Sequence, residues 1–196
     1  MKRIFSVVVL FLGLVFGANA QGLEAGNLSF GARAGVGLAN MGGDVKNSDN
    51  LFNFHVGVVG DYAFTNNFYL EPGLYFTRKG CANAESHSSS SNVNLYYLEV
   101  PVLASYRFNI NDAFGINVQA GPYAAIGLFG ECGDDVKSFD KDIYKRFDGG
   151  LRFAAGAQFS AFSATVGYDL GLTDISDNSY FKAKTSLISF TLGYDF

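Results

Sequence analysis

The chain has 196 residues and a formal net charge of −4, so it lacks the basic surplus of a nucleic-acid-binding protein. It is rich in Phe, Tyr and Gly, with 20, 11 and 24 residues, poor in Pro and free of Trp. Aromatic residues suit a pleated sheet, and Gly permits tight turns and crowded interiors. The composition therefore favours strands, and its two cysteines exclude a small scaffold held together by disulfides.

The first twenty residues have the pattern of a secretory signal peptide. Two basic residues precede an apolar run from Ile4 to Gly17, and Ala18 to Ala20 matches the small-x-small cleavage pattern. The run is shorter than the roughly 20 residues of a membrane-spanning helix. We expect residues 1–20 to be removed on export, leaving one domain of residues 21–196; the alternative is an uncleaved anchor.

From Leu28 onwards, apolar residues alternate with small or polar residues in one segment after another. Between Phe162 and Leu172 every second residue is apolar, and the residues between them are Ser, Thr, Gly or Asp. A period of two is that of a strand, since a helix would mix the two sets. Eight such segments are predicted, each long enough to cross a bilayer as a tilted strand. They lie near residues 28–40, 52–64, 68–80, 93–108, 114–129, 146–159, 162–174 and 184–196.

The connections between these segments alternate in length. Those after the second, fourth and sixth segments are short, whereas those after the odd segments are long and polar, at 41–51, 81–92, 130–145 and 174–183. Short turns at one rim and long loops at the other are typical of outer-membrane barrels. The sequence therefore predicts an all-β, eight-stranded antiparallel up-and-down transmembrane barrel in the outer membrane of a Gram-negative bacterium, with both mature termini in the periplasm.

The two faces of the segments indicate which side meets lipid. One face of each segment is nearly free of charge, whereas the other carries Gly, polar residues and charges. An ionised group facing hydrocarbon costs roughly 2 to 4 kcal/mol at mid-depth, so the charged faces must point inward. Eight strands leave an interior that side chains can fill, and we expect a structural charge network there rather than a diffusive pore; an ion path is the alternative. Its predicted members are Arg33, Asp61, Glu71, Glu99, Arg107, Arg152 and Asp169.

The connection between the sixth and seventh segments predicts a register. A two-residue turn at Ser160-Ala161 sets Phe159 opposite Phe162 on the lipid face. Counting outward then places Arg152 directly opposite Asp169 inside the barrel, within reach of a salt bridge. Aromatic residues near the short turns form a predicted interfacial girdle. Its members are Phe64, Phe68, Phe108, Phe114, Phe159, Phe162 and Phe196.

Several stretches give the chain a family resemblance that covers nearly all of the mature sequence. They are Phe30 to Gly35, Leu70 to Phe76 with Arg78 to Gly80, Tyr97 to Leu103, Ala120 to Tyr123, and Gly167 to Ile175. In this order they resemble the PorT-like outer-membrane β-barrel family common in Bacteroidota. The resemblance implies a small barrel whose terminal Phe196 is read by the barrel-assembly machinery, and it supplies no catalytic or binding motif.

No residue pattern predicts an enzyme, a cofactor or a metal site. Nucleophilic catalysis needs a His beside a Ser and a carboxylate; His55 falls on an inward face and His87 in a Ser-rich loop. The acidic stretch 131–142 lacks the spacing of a calcium loop. Cys81 and Cys132 lie in neighbouring long loops of an exported chain, so a disulfide and two free thiols are both open.

The sequence thus predicts a structural or surface-interaction barrel that acts through its extracellular loops. Its expected partners are outer-membrane lipid and a surface or secretion-system protein. An accessory component of envelope secretion or assembly is the alternative, and a lipid-modifying enzyme is a third, less favoured reading.

Overall fold

The computed structural model describes residues 28–43, 50–86, 89–111, 113–132, 136–137, 145–174 and 183–196, with the backbone alone for 41, 43, 81–86, 89–93, 131–132, 136–137 and 183. Regular alternation produces long strands throughout this part of the chain. The strands are β1 (Leu28–Gly43), β2 (Leu51–Ala63), β3 (Phe68–Ser86), β4 (Ser89–Asn109), β5 (Phe114–Cys132), β6 (Val136–Lys137), β7 (Phe147–Phe159), β8 (Phe162–Gly171) and β9 (Ala183–Asp195).

The sheet closes on itself. Each long strand pairs antiparallel with the next, and β1 pairs with β9 from Gly31–Asp195 to Gly43–Ala183. The two-residue β6 pairs only with the end of β5 and stands outside the barrel. Closure gives every long strand two neighbours, which removes the unpaired edges of an open sheet. The predicted eight-stranded antiparallel barrel is confirmed.

The connections define two rims. At the short-turn rim, residues 64–67, 110–113 and 160–161 join β2 to β3, β4 to β5, and β7 to β8. At the long-loop rim, the expectation of a loop over 81–92 is largely wrong, because β3 and β4 continue to Ser86 and Ser89. A Ser-rich stretch carries no two-residue hydrophobic period, yet its backbone can extend a hairpin that the strands below have already aligned.

The barrel wall is apolar outside and polar inside. Alternate residues point outward, and the exposed ones include Val56, Val118, Phe153 and Leu192. The inward positions hold all seven residues of the predicted charge network. A bulge interrupts this alternation in β5, where Tyr96 pairs with Phe129 and Tyr97 with Gly127. The bulge turns Phe129 outward, a position that the sequence period assigns to the interior.

Aromatic rings surround the short-turn rim, as the sequence predicts. Phe64 lies 4.9 Å from Tyr62 and 5.9 Å from Phe68, measured between ring centroids. On the other side of the barrel, Tyr194 lies 5.1 Å from Phe162 and 5.7 Å from Phe196. Rings at this height are suited to the boundary between hydrocarbon and polar headgroups.

The hairpin of β7 and β8 has the predicted register. Phe159 pairs with Phe162 and Arg152 with Asp169, so the turn consists of Ser160 and Ala161. Ser160 has φ 52°, a left-handed conformation in which an L-residue crowds its own backbone. The register of the hairpin therefore depends on one strained residue.

Replacing Ser160 with Gly should stabilise the barrel, because Gly adopts positive φ without a steric penalty. We expect a gain of about 0.5 to 1 kcal/mol, measured by urea unfolding of protein folded into lipid vesicles. Ala161→Gly is the matched control, and it should destabilise the barrel by adding freedom to the unfolded chain. Equal shifts in the same direction for both variants would contradict the strain at Ser160.

Candidate functional site in the barrel interior

Five charged side chains form an alternating series in the half of the interior nearer the long-loop rim, here called the loop-side cluster. Lys79 Nζ lies 3.1 Å from Asp148 Oδ2 and 2.7 Å from Glu99 Oε2. Arg152 Nη2 lies 2.5 Å from Glu99 Oε1 and 2.5 Å from Asp169 Oδ2, and its Nε donates to Asp169 Oδ1 at 2.6 Å. The two cations therefore bridge three carboxylates contributed by β4, β7 and β8.

A second series, the turn-side cluster, lies nearer the short-turn rim. Arg107 Nη2 lies 2.6 Å from Asp61 Oδ1 and 3.6 Å from Glu71 Oε2. Arg33 Nη1 lies 2.7 Å from Asp195 Oδ1, and its Nη2 lies 3.9 Å from Asp61 Oδ2. Again two cations alternate with three carboxylates, and this series joins β1 to β9, the first and last strands.

Each cluster has one more carboxylate than cation, and a surplus buried charge is costly unless it is hydrogen-bonded. Neutral side chains supply extra hydrogen bonds to three of the four carboxylates at the ends of the two series. Thr185 Oγ1 and Thr173 Oγ1 donate to Asp148 at 2.9 and 3.2 Å, Gln119 Nε2 to Glu71 at 3.1 Å, and Gln158 Nε2 to Asp195 at 3.2 Å. These donors stabilise the surplus charge without a third cation.

Tyr75 and His55 lie between the two clusters. The Arg152 guanidinium lies 5.5 Å from the centre of the Tyr75 ring, a cation–π contact. The His55 ring meets Tyr75 edge-on at 5.9 Å, and its Nε2 is 2.9 Å from Thr191 Oγ1. The predicted inward position of His55 is confirmed, and the partner of its Nε2 is a hydroxyl.

The interior is closed on the long-loop side. Leu95, Tyr97 and Lys79 are almost completely buried there, and Lys79 Nζ lies 4.2 Å from the centre of the Tyr123 ring. Towards the short-turn rim there are two polar cavities, of about 40 and 180 Å³, both lined by Arg107 and Gln158. They can hold water but are smaller than the roughly 300 to 1,000 Å³ of a ligand pocket.

Orphan polar atoms indicate where that water is needed. Asn117 Oδ1 and Arg107 Nε are buried without a hydrogen-bond partner, and both residues line the smaller cavity. A buried unpaired group costs about 1 to 3 kcal/mol. Water at these atoms would satisfy them, and the same cavity extends to Arg152 of the loop-side cluster.

The seven predicted network residues all lie on inward faces, but the predicted network leaves out three members of the clusters. Lys79 follows Tyr75 and Thr77 on the inward parity of β3, and the same count could have included it. Asp148 and Asp195 have inward parity on β7 and β9 in the same way. These omissions hide the alternation of charge, because Lys79 is one of the two cations of the loop-side cluster.

Other sequence predictions fall on parts of the chain that are not fully described. His87 and most of the acidic stretch 131–142 lie outside the described residues, and so do the side chains of Cys81 and Cys132. The backbones of these two cysteines both pair with Val93, on its opposite sides, so that β4 lies between them. The disulfide stays a prediction.

The described residues contain neither a metal-ligand cluster nor a membrane-spanning helix. No group of three or more His, Cys, Asp or Glu side chains among them could hold a metal ion. In the same part of the chain, no helix has the length and apolar character needed to cross a membrane.

A closed sheet with an apolar outer wall and charges inside is the architecture of a transmembrane β-barrel. The chain belongs to the outer membrane protein beta-barrel domain family, whose model matches residues 16–177. It is thus a protein of the Gram-negative outer membrane. A comparison with curated protein sequences finds no match.

Solved structures share this fold at low sequence identity. Neisserial surface protein A matches with a TM-score of 0.53 and 16% identity, over 85% of this chain and 97% of that one. The outer membrane enzyme PagL matches with a TM-score of 0.51 and 13% identity, over 83% and 98%. Ail, the attachment invasion locus protein of Yersinia pestis, matches with a TM-score of 0.47 and 17% identity, over 87% and 99%.

Asp169→Ala should destabilise the barrel by about 3 kcal/mol, because it leaves the Arg152 guanidinium buried with fewer partners. Asp195→Ala is the matched control, since it also removes an arginine partner but lies beside the open short-turn rim. We expect a smaller loss there, measured as the free energy of unfolding in urea. The double change Arg152→Ala with Asp169→Ala should recover only part of the loss, since Glu99 also loses Arg152. Equal losses for Asp169→Ala and Asp195→Ala would contradict the deeper burial of the loop-side cluster.

Proposed function

We propose that the protein is a non-enzymatic barrel that presents its long connections outside the cell, where they contact other cells, polysaccharide or partner proteins. The observation that carries this proposal is the blocked interior: the loop-side cluster and the buried Leu95 and Tyr97 fill the section below the long-loop rim. A barrel filled by its own side chains offers solutes no path. The loops and the outer wall are then the surfaces available for function.

The environment of the described histidine supports a non-enzymatic role. His55 is buried inside the barrel, its Nε2 lies beside Thr191 Oγ1, and its Nδ1 lies 3.5 Å from Asn53 Oδ1. A base that serves a lipid substrate must reach a nucleophile on the lipid side of the wall. The likeness to PagL and to Neisserial surface protein A concerns the fold alone, so it does not choose between an enzyme and a surface protein.

An accessory role in envelope secretion or assembly is the second candidate, and the PorT-like resemblance of the motifs favours it. Phe196 supports a related proposal, recognition of the C-terminus by the barrel-assembly machinery. Its side chain is 77% exposed at the short-turn rim, while its backbone N–H is fixed by the carbonyl of Phe30 at 2.8 Å. An exposed ring on an ordered backbone is accessible to another protein.

The orientation we propose places the short-turn rim and both mature termini in the periplasm. An epitope inserted between Ser86 and Ser89, at the tip of the β3–β4 hairpin, should be labelled by antibody on intact cells. The same epitope at Asn66, in a short turn, should be labelled only after the outer membrane is opened. Labelling of the Asn66 epitope on intact cells would reverse the proposed orientation.

Replacing the connection 133–144 with a short Gly-containing turn should abolish adhesion of cells to the surface that the wild type binds, because the barrel remains while the loop is lost. Wild-type, deletion and loop-replaced strains are compared on immobilised polysaccharide and on cultured cells. The control is an equally drastic sequence change in the turn 64–67. Two results together would favour the accessory role instead. Wild-type and deletion strains would adhere equally, and periplasmic partners would co-purify with the protein in detergent.

A further inference from the structure

The outer wall carries very few charges, and their positions are informative. Among the outward strand positions whose side chains are described, the charged residues are Arg78 on β3 and Lys184 on β9. Both are cations, and both lie near the long-loop rim. The outward positions near the short-turn rim are occupied by the aromatic girdle.

The height of Arg78 matches the opposite boundary of the hydrocarbon. It follows the girdle residue Phe68 by ten residues along β3, which is roughly 34 Å along a strand. A strand tilt of about 40° makes this roughly 26 Å along the membrane normal, close to the roughly 25 Å apolar band of such barrels. Lys184 precedes Tyr194 by the same number of residues on β9. Both cations thus lie at headgroup level.

Arg78 differs from Lys184 in its surroundings, because four aromatic rings lie beside it on the outer wall. We call Phe54, Phe76, Tyr96 and Phe129 the aromatic platform. Tyr96, which pairs with Arg78 in the β3–β4 register, is stacked on Phe76 at 5.9 Å and 16° and on Phe129 at 4.7 Å and 27°. Phe54 lies 6.3 Å from Phe76. The platform extends over β2 to β5; Tyr96 is level with Arg78 in the strand pairing, and Phe76 lies two residues nearer the membrane centre.

Asn94 holds the Arg78 guanidinium in place, and no described side chain supplies it with a counter-charge. Its Nη2 donates to Asn94 Oδ1 at 2.5 Å, while its Nε is buried without a hydrogen-bond partner. No carboxylate of the described residues lies within ion-pair distance of it. Because Nε is buried, an anion such as a phosphate must be bound by the outer Nη1 and Nη2 groups of this oriented guanidinium.

A second copy of the barrel cannot supply that anion through the described wall. Its outward strand positions hold no Asp or Glu among the side chains that the structure places. The occupant must also be apolar where it covers the aromatic platform and anionic where it meets Arg78. An amphiphile with acyl chains and a phosphorylated headgroup has both properties.

We propose that Arg78 and the aromatic platform form a binding site for the phosphorylated glycolipid of the outer leaflet, lipid A. Arg78 binds a phosphate at headgroup level, and the four rings around it pack against the apolar part of the same lipid. The cellular setting of this site rests on the proposed orientation, which places the long-loop rim in the outer leaflet. Binding itself does not depend on that orientation, so the epitope experiment and the binding experiment fail independently.

The test uses the full chain folded in phosphatidylcholine nanodiscs that contain a small fraction of lipid A. Native mass spectrometry of the released protein counts the lipid A molecules that it retains. The wild type should retain phosphorylated lipid A, and Arg78→Gln should retain it about tenfold less. Lys184→Gln is the matched control, a cation at the same height without the platform, and it should behave as the wild type. Heat-dependent migration on gels verifies that each variant is folded.

Two further comparisons separate the phosphate from the acyl chains. Removing the phosphate from lipid A should weaken its retention by the wild type. The loss should be at least as large as the loss that Arg78→Gln causes with phosphorylated lipid A. Phe129→Ser, which removes an exposed ring from the platform, should also weaken retention. Equal retention of the two lipids, or equal losses for Arg78→Gln and Lys184→Gln, would overturn the proposal. A wild-type dimer that Arg78→Gln dissociates would overturn it in favour of a second copy.

Discussion

Lipid offers the outer wall neither hydrogen bonds nor a medium that solvates charge, and the rest of this structure depends on that constraint. Every strand needs partners on both sides, so the sheet closes between β1 and β9. Outward positions must be apolar, so the ionised side chains are confined to the interior of the barrel. Eight strands enclose a space too narrow for bulk water, so the charges must neutralise one another. The alternating clusters are the result.

Alternation of sign is what makes these clusters compact. In the loop-side cluster, Arg152 serves two carboxylates at 2.5 Å each, which reduces the number of cations that the interior must hold. Three of the four carboxylates at the ends of the two series also accept from a hydroxyl or an amide. The loop-side cluster uses threonine hydroxyls on Asp148, and the turn-side cluster uses glutamine amides on Glu71 and Asp195.

The sequence predicts the fold well because a two-residue period over long strands cannot be confused with a helix, and because a two-residue turn fixes the β7–β8 register. It fails where that period is absent or broken. The Ser-rich tip of the β3–β4 hairpin has no apolar alternation to count. The bulge at Leu128 turns Phe129 outward, and no sequence pattern predicts that bulge. Lys79 has the right parity, but its partner Asp148 comes from β7, a strand that only the closed barrel brings close to β3.

The Arg33–Asp195 pair, 2.7 Å apart, joins the two strands that are farthest apart in sequence. This contact cannot exist until the last strand has met the first, so in any earlier, open sheet both side chains remain in water. The turn-side cluster is therefore completed late in folding. Closure then removes water from charged groups whose ion-pair partners are already close by. Such charges impose an order on assembly. A strand that entered the bilayer before its neighbours would carry unpaired charged side chains into hydrocarbon. Only the nearly closed sheet can enter without that cost.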